Sequence, residues 1–535
     1  MFDILLTGGS VYDGLGGKPY PADVGIAGGR IAAIGRLEGA QAERTIEATG
    51  LAVAPGFIDM HSHADLDLLI EPTAAPKVRQ GVTTELVGQC GLGVAPTNPA
   101  TAGAWRRVLT GILGEHPETW PWPTFAAYLA DLEAARPALN VAALVTHGAV
   151  RAAGVGLDDR FPSAREMVAM ERLVDEAMAD GAFGLSVGLV YLPCLFAEEA
   201  ELVALYRRVA ARHGLMAIHI RSQASRVLPA LDEALAVAAR AGVALQVSHL
   251  CAAGRPNWGK PELMLAAIDA ARARGQDVTF DQHPYDAGSS LLTQILPPWT
   301  VGGGTEALLA RLRDPLARER IKREMAENTP SPDPRTPWDS YSALLGWENI
   351  LITAVQSEAN RACVGHTIAE VAAARRCDPG ETALDLLVEE NGVVAMVMRD
   401  LYAEGDLATI MRHEAQMVGS DDIYTGTPHP RLYGTFARVL GKFAREDGVI
   451  SLAQAVRKMT SVPAQRLGLR DRGVLREGLA ADVAVFDPAT VRDRATYAAP
   501  RQFAVGVPYV LVNGELVVDG GVQTKARPGR VLRHG

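Results

Sequence analysis

The chain lacks any run of about 18 uninterrupted apolar residues, the length a membrane-crossing helix needs. It lacks a basic excess: 52 Lys and Arg stand against 62 Asp and Glu, for a net charge of −10. That sign argues against a nucleic-acid partner, which is met by a basic face. A disulfide framework is missing too. The five cysteines, Cys90, Cys194, Cys251, Cys363 and Cys377, are odd in number and irregularly spaced along a long chain, which points to a reducing cytoplasm. The opening residues, MFDILLTGGSVYDG, carry no basic stretch running into a long apolar one and do not read as a secretory signal. Glycine and proline are too sparse for a disordered low-complexity chain. What remains is an ordinary globular composition over 535 residues, enough for two or three domains or one large barrel with attachments.

The two ends echo each other. ILLTGGSVYDG near the start resembles VLVNGELVVDG near the finish, and ADVGIAGGRIAAIG resembles ADVAVFDP. All are short β-branched runs broken by glycine or by Asn-Gly and Asp-Gly pairs, which signal strands and hairpins. Each end alone is too short for a stable sheet. The expectation is a small β-sandwich domain built from residues 1–54 and 470–535 together.

Between them, apolar runs alternate with helical stretches. Candidate strands end near His63, Cys90, His147, Ser186, His219, His249, His283 and Asp421. Candidate helices include AREMVAMERLVDEAMAD, EEAELVALYRRVAARHG and VLPALDEALAVAARAG, with apolar residues at three- and four-residue spacing. Eight strands interleaved with helices fit an α/β fold of the (β/α)8 TIM-barrel type over 55–469. Residues 290–350 break the rhythm with ILPPWTVGGG and ENTPSPDPRTPWDS. They are expected to form an insertion after strand seven, a small subdomain or lid.

Residues i and i+2 of a strand share a face, so His61 and His63 of DMHSHADLD project together. His219, His249 and Asp421 also close apolar runs. In this type of barrel the strand C-terminal ends form the active face. Five ligand-type side chains then converge on one opening. Imidazoles suit zinc and other divalent ions, and a carboxylate completes such a set.

This set, with the segments around it, resembles the amidohydrolase superfamily, and within it the N-acyl-D-amino-acid deacylase branch. The segments are APGFIDMHSHADLDLL, GVTTELVGQCG, GAFGLSVGLVYLP, IHIRSQ, SHLCAAGRPNWGK, DQHPYDAGSS, VGSDD, HPRLYGTFARVLG and MTSVPAQRLGLRDRGVLREGLAADVAVFDP. They cover nearly the whole chain, the insertion least well. The resemblance implies a metal-dependent hydrolase of amide bonds acting on a small-molecule N-acyl-D-amino acid. It implies that His61 and His63 form a looser metal site, and that Cys90, His219 and His249 form a tight one, zinc being the expected ion. Asp421 would be the general base. No lysine closes the fourth strand, which fits a thiolate bridge. Tyr285 and Ser289 are implied substrate contacts, with His147, Arg151 and Arg431 as further candidates. Oligomeric state is left open, and no membrane partner is expected.

Two positions depart from the branch. Cys251 follows the sixth-strand histidine where lysine is common, and Gln223 stands where an acid is common. Both keep open a cyclic amide or imide, or another non-peptide amide, as substrate. GLSVG matches a G-x-S-x-G elbow around Ser186, but LVYLP follows it and no helix starts there, as the elbow needs. A binding protein on a retired barrel is the other rival. It would be expected to have lost ligand residues, and this chain keeps them.

Overall fold

The structure, a computed structural model, describes residues 1–114, 120, 122–333 and 335–535. The chain opens with β1 (Phe2–Val11), β2 (Tyr20–Ala27), β3 (Arg30–Gly35), β4 (Ala42–Glu47) and β5 (Ala52–Pro55). Seven strands and a strand fragment follow: β6 (Phe57–Asp59), β7 (Val82–Val87), β8 (Asn140–Ala143), the fragment β9 (Val145–Thr146), β10 (Gly184–Gly188), β11 (Leu215–His219), β12 (Ala244–Val247) and β13 (Val278–Gln282). A long excursion carries β14 (Gly288–Leu291), β15 (Ile350–Ala354) and β16 (Ala395–Met398). Then come β17 (Gln416–Val418), β18 (Val483–Phe486), β19 (Tyr509–Val512), β20 (Glu515–Asp519) and β21 (Val522–Gln523).

Strands β6 to β13 and β17 are parallel and neighbour one another in chain order. Only Leu144 separates β8 from β9, and its N–H still bonds to Val87 O at 3.0 Å, so they act as one strand. The circle closes where Met60 N bonds to Val418 O at 3.3 Å and Ser62 bridges Asp422. This is the (β/α)8 barrel. Strand alternation sorts its side chains. Met216 and Ile218 pack under the helices, while Leu215 and Ala217 pack inside the barrel with Ile58, Met60 and Leu86. The same parity sends His219 inward at the strand's C-terminal end. The surrounding helices are locally well specified. Ala164–Ala179 starts on a capping box of Ser163 and Glu166 and buries Met170, Val174 and Met178. Val227–Ala241 ends at Gly242, whose φ of 69° closes the helix.

The terminal segments meet as expected, in one hydrogen-bonded sheet of nine strands rather than two separate ones. Antiparallel pairing of β5 with β18 sets Val53 opposite Val485. Alternation gives this sheet two apolar faces. Val53, Val483, Val485 and Leu511 join Val24, Ile26 and Ile31 in the domain's own core. Ala54, Ala484, Phe486 and Val510 pack onto the barrel side, where Phe57 stacks on Phe436 with ring centroids 5.9 Å apart.

The excursion after β13 is longer than the expected 290–350, in which residue 334 lies outside the described residues. It runs from residue 283 to 415, because β14 and β15 both pair antiparallel with β16, and that sheet is complete only at Met398. The prolines and tryptophans that mark the insertion stop near residue 350. Beyond them the helices Ile368–Arg375 and Pro379–Glu389 carry ordinary amphipathic patterns that look like barrel. All five cysteines are unpaired. Among the described residues no helix is long and apolar enough to cross a membrane.

Under the barrel, Lys458 is buried, and its Nζ donates to the carbonyls of His413 and Gln416. Burial, helped by Arg457, lowers its pKa to about 7. Between about 7 and the ordinary lysine value near 10.4, the unfolded chain holds a proton that the folded one lacks. Stability from this group therefore rises with pH across that window and is constant below it. The thermal unfolding midpoint of Lys458→Met, compared with the parent from pH 7 to 10, should lack this part of the rise. Parallel curves would contradict it.

Candidate metal centre

The C-terminal ends of β6, β7, β11, β12 and β17 bring six side chains together. Cys90 Sγ lies 3.4 Å from His61 Nε2, 3.8 Å from His219 Nδ1 and 3.5 Å from His249 Nε2. Asp421 Oδ1 lies 3.3 Å from Nε2 of both His61 and His63. Donor atoms of His61, His63 and Cys90 lie within 4.8 Å of one another, as do those of Cys90, His219 and His249, and those of His61, His249 and Asp421. Tetrahedral bonds of 2.0–2.3 Å place a zinc ion's donors about 3.3–3.8 Å apart, which is the spacing found here. His63 Nδ1 is buried with no hydrogen-bond partner.

The electrostatics fit a cation. Burial disfavours charge on every member of the set. Even so, the nearby His61 and His249 hold the Cys90 thiol well below its ordinary pKa. Arg431 and His61 do the same for the Asp421 carboxyl. In turn, Cys90 and the Asp281 and Asp421 carboxylates raise His61 well above its usual value, against its burial. Asp421 and Cys90 likewise raise His63 to about 9. The field of the cluster draws positive charge into a dry site.

Local backbone and buried partners aim the ligands. Cys90, His249 and Asp421 hold φ of 55°, 35° and 51°. These left-handed values are costly for non-glycine residues and persist where the surroundings enforce them. Cys90 rides a turn between Gly88 and Gly91, where a Cβ on Gly88 would meet Leu144 O at 2.3 Å. Ser186 pins that turn: its hydroxyl donates to Gly88 O at 2.6 Å and accepts from Gly91 N at 3.0 Å. Buried and doubly bonded, Ser186 has no access to a substrate.

Asp281 Oδ1 lies 3.1 Å from His61 Nδ1 and accepts from His249 N at 2.8 Å. This fixes the His61 ring and leaves its Nε2 toward Cys90 and Asp421. The Gln223 amide lies 2.9 Å from His249 Nδ1. The atom placed there is Gln223 Nε2; turning the amide over would set its carbonyl to accept Nδ1–H and leave His249 Nε2 free.

A buried ammonium ties the strands below. Lys77 Nζ lies 2.5 Å from Asp59 Oδ2, 2.7 Å from Ser420 Oγ, 2.9 Å from Asp422 Oδ1 and 3.5 Å from Glu85 Oε2. Asp59 Oδ1 in turn accepts from His61 N at 3.1 Å and Ser420 N at 2.9 Å. One cation thus sets β6, β7 and β17 in register beneath His61, His63 and Asp421. Lys77, Asp59, Asp281 and Asp422 escaped the sequence reading. Nothing local marks them, since each partner lies on a different strand or helix.

A cavity opens over the centre, lined by His219, His249, Ser289, Tyr402, Asp421 and Arg431 among others. Arg431 Nη1 is 2.9 Å from Asp421 Oδ2, while its Nε and Nη2 are buried without partners. Ser289 lines the cavity, its hydroxyl donating to Met396 O at 3.2 Å. The other three expected contacts do not border it. Tyr285 donates to Asp493 Oδ2 at 3.3 Å, with Arg438 over its ring. His147 and Arg151 are enclosed in the barrel wall and share the Glu201 carboxylate, His147 Nε2 at 2.8 Å. A helix starts at His147 itself, which turns both side chains toward the helix Glu199–Ala210 and away from the mouth.

The sequence profile of the amidohydrolase family matches residues 44–315 and 347–518. N-acyl-D-glutamate deacylase of Alcaligenes xylosoxydans xylosoxydans is 40% identical over 99% of this chain and 96% of its own length. The crystal structure of N-acyl-D-glutamate deacylase from Bordetella bronchiseptica, complexed with zinc and a phosphonate mimic of the tetrahedral intermediate, superposes with a TM-score of 0.84. It shares 37% identity and covers 99% of both chains. A D-aminoacylase, studied for its binuclear metal centre with one-metal activation and second-metal attenuation, also gives 0.84, at 34% identity over 100% of both chains.

Replacing Lys77 by Met should strand three buried carboxylates and loosen the strand register. We expect zinc affinity, measured by titration against a chelating indicator, to fall about 10- to 100-fold. Lys77→Arg should retain part of it. Unchanged affinity in Lys77→Met would remove the knot from the account.

Proposed function

The chain belongs to the amidohydrolase family, in its N-acyl-D-amino-acid deacylase branch, and on that premise we propose that it hydrolyses N-acyl-D-amino acids to a carboxylate and a D-amino acid. The observation that carries the reading is Cys90 Sγ within 3.8 Å of three imidazole nitrogens, with Asp421 and the cavity on the open side. The residues fit zinc: Cys90, His219 and His249 as the tighter site, with His61 and His63 completing a second that shares Cys90. Bound there, a divalent ion supplies Lewis-acid polarisation of the amide carbonyl and lowers the pKa of water from about 15.7 towards about 7.

The protein's own groups do the rest. Asp421, ionised because Arg431 and His61 stabilise its charge, accepts a proton from the attacking water. It then delivers that proton to the amide nitrogen as the C–N bond breaks, so the amine leaves neutral. Arg431 offers its unpartnered Nε and Nη2 to the substrate carboxylate, a charge-assisted fork. Ser289 lines the same cavity. The free cysteines fit a reducing cytoplasm.

Chelation should abolish hydrolysis and added zinc restore it. Asp421→Asn should lower kcat by about 10²–10⁴-fold. Assays should pair N-acetyl-D-amino acids with their L-isomers and with cyclic amides. Turnover confined to the cyclic amides, or full activity in Asp421→Asn, would refute the assignment.

A further inference from the structure

Tyr191, Gln223, Gln294 and Tyr341 border both the cavity over the metal centre and a second chamber. The excursion between β13 and β17 supplies much of its wall. Leu291, Leu296, Leu308 and Trp338 come from that segment, and Leu92 and Leu189 from the barrel loops.

Three formally charged side chains touch the chamber, two arginines and one aspartate. Arg221 has every N–H committed, to the Glu233 carboxylate and to the carbonyls of Leu195, Ala197 and Arg335. Arg107 is solvent-exposed and lies 3.6 Å from the Glu306 carboxylate, which is exposed too. Asp339 is buried, and one of its oxygens accepts from Ser225 N at 3.2 Å. In the first cavity Arg431 is the one lysine or arginine among the described residues.

We infer that this chamber is the specificity subsite of the enzyme, and that it takes an uncharged, extended apolar group of the substrate. The inference rests on the deacylase reading and narrows it: the substrate carries one carboxylate, met by Arg431, and no acidic group on the part that enters the chamber. A second carboxylate there would leave water for leucine and tryptophan walls whose one cation without a full set of partners, Arg107, is solvated and already faces Glu306. The Asp339 charge would oppose it further. An apolar group gains by the same move, about fourfold in kcat/KM for each methylene buried. On this reading the chain departs from the D-glutamate deacylases it is similar to.

Two substrate series on the zinc-loaded protein test it. One varies the amino acid, comparing N-acetyl-D-alanine, D-leucine and D-glutamate. The other varies the acyl chain on D-alanine, from acetyl to octanoyl. The expected result is a gain of at least tenfold in kcat/KM over N-acetyl-D-alanine along one series, which also tells which side of the amide the chamber receives. Where the amino-acid series carries the gain, N-acetyl-D-glutamate should be at least 100-fold slower than N-acetyl-D-leucine, and Gln294→Arg, which puts a cation at the neck, should shift the glutamate-to-leucine ratio upward by tenfold or more. Flat rates along both series, or glutamate turnover equal to that of leucine when the amino-acid series carries the gain, would overturn the proposal.

Should no N-acyl-D-amino acid be hydrolysed, the deacylase reading fails by itself. The chamber is then read by calorimetry with decanoate and glutarate. Decanoate binding at least tenfold tighter supports it, and glutarate binding as tightly overturns it.

Discussion

The architecture turns on burying a thiolate and a carboxylate among imidazoles in a dry barrel mouth. A buried charge without a partner costs more than a fold can spare. Cys90 and Asp421 are tolerable because His61, His63, His219, His249 and Arg431 surround them, and because the whole set draws in a cation. The surrounding features serve that arrangement. Three of the six donors sit on left-handed backbone, Ser186 clamps the Cys90 turn, Asp281 fixes His61, and Lys77 locks three strands below the site. Such strain and buried polarity are stable only when the neighbours over-determine them.

The scaffold divides its labour. Parallel strands sealed by helices supply a rigid ring whose C-terminal ends share one opening. The terminal sheet covers part of the barrel with one apolar face and keeps a separate core with the other, so the two chain ends depend on each other. The long excursion between β13 and β17 plays a different part. It carries no member of the ligand set, yet it walls the space beyond it.

Much of the barrel was legible because its strands end in short apolar runs punctuated by histidine. Five donors could be placed at strand ends from that pattern. Cys90 needed the surrounding motif, since a lone buried cysteine has no distinctive spacing. The misplacements have physical causes. His147 and Arg151 lie after an apolar run like the others, but a helix begins at once and turns them to Glu201, some fifty residues on. Tyr285 shares its motif with Ser289, yet its hydroxyl finds Asp493 from the far end of the chain. The excursion was read as too short because its second half is helical in an ordinary way.

Taken alone, the amino-acid order determined what is periodic or adjacent: strand parity, helix caps, the paired imidazoles of His61 and His63, and the matching hairpins at the two ends. Tertiary structure alone decided which polar groups meet. The Lys77 knot, the Asp281 bridge and the largely apolar chamber wall each join residues tens to hundreds of positions apart. Hydrogen bonds and charge pairing act over a few ångströms of space. Spacing along the chain reports such contacts only when the backbone is regular between the partners.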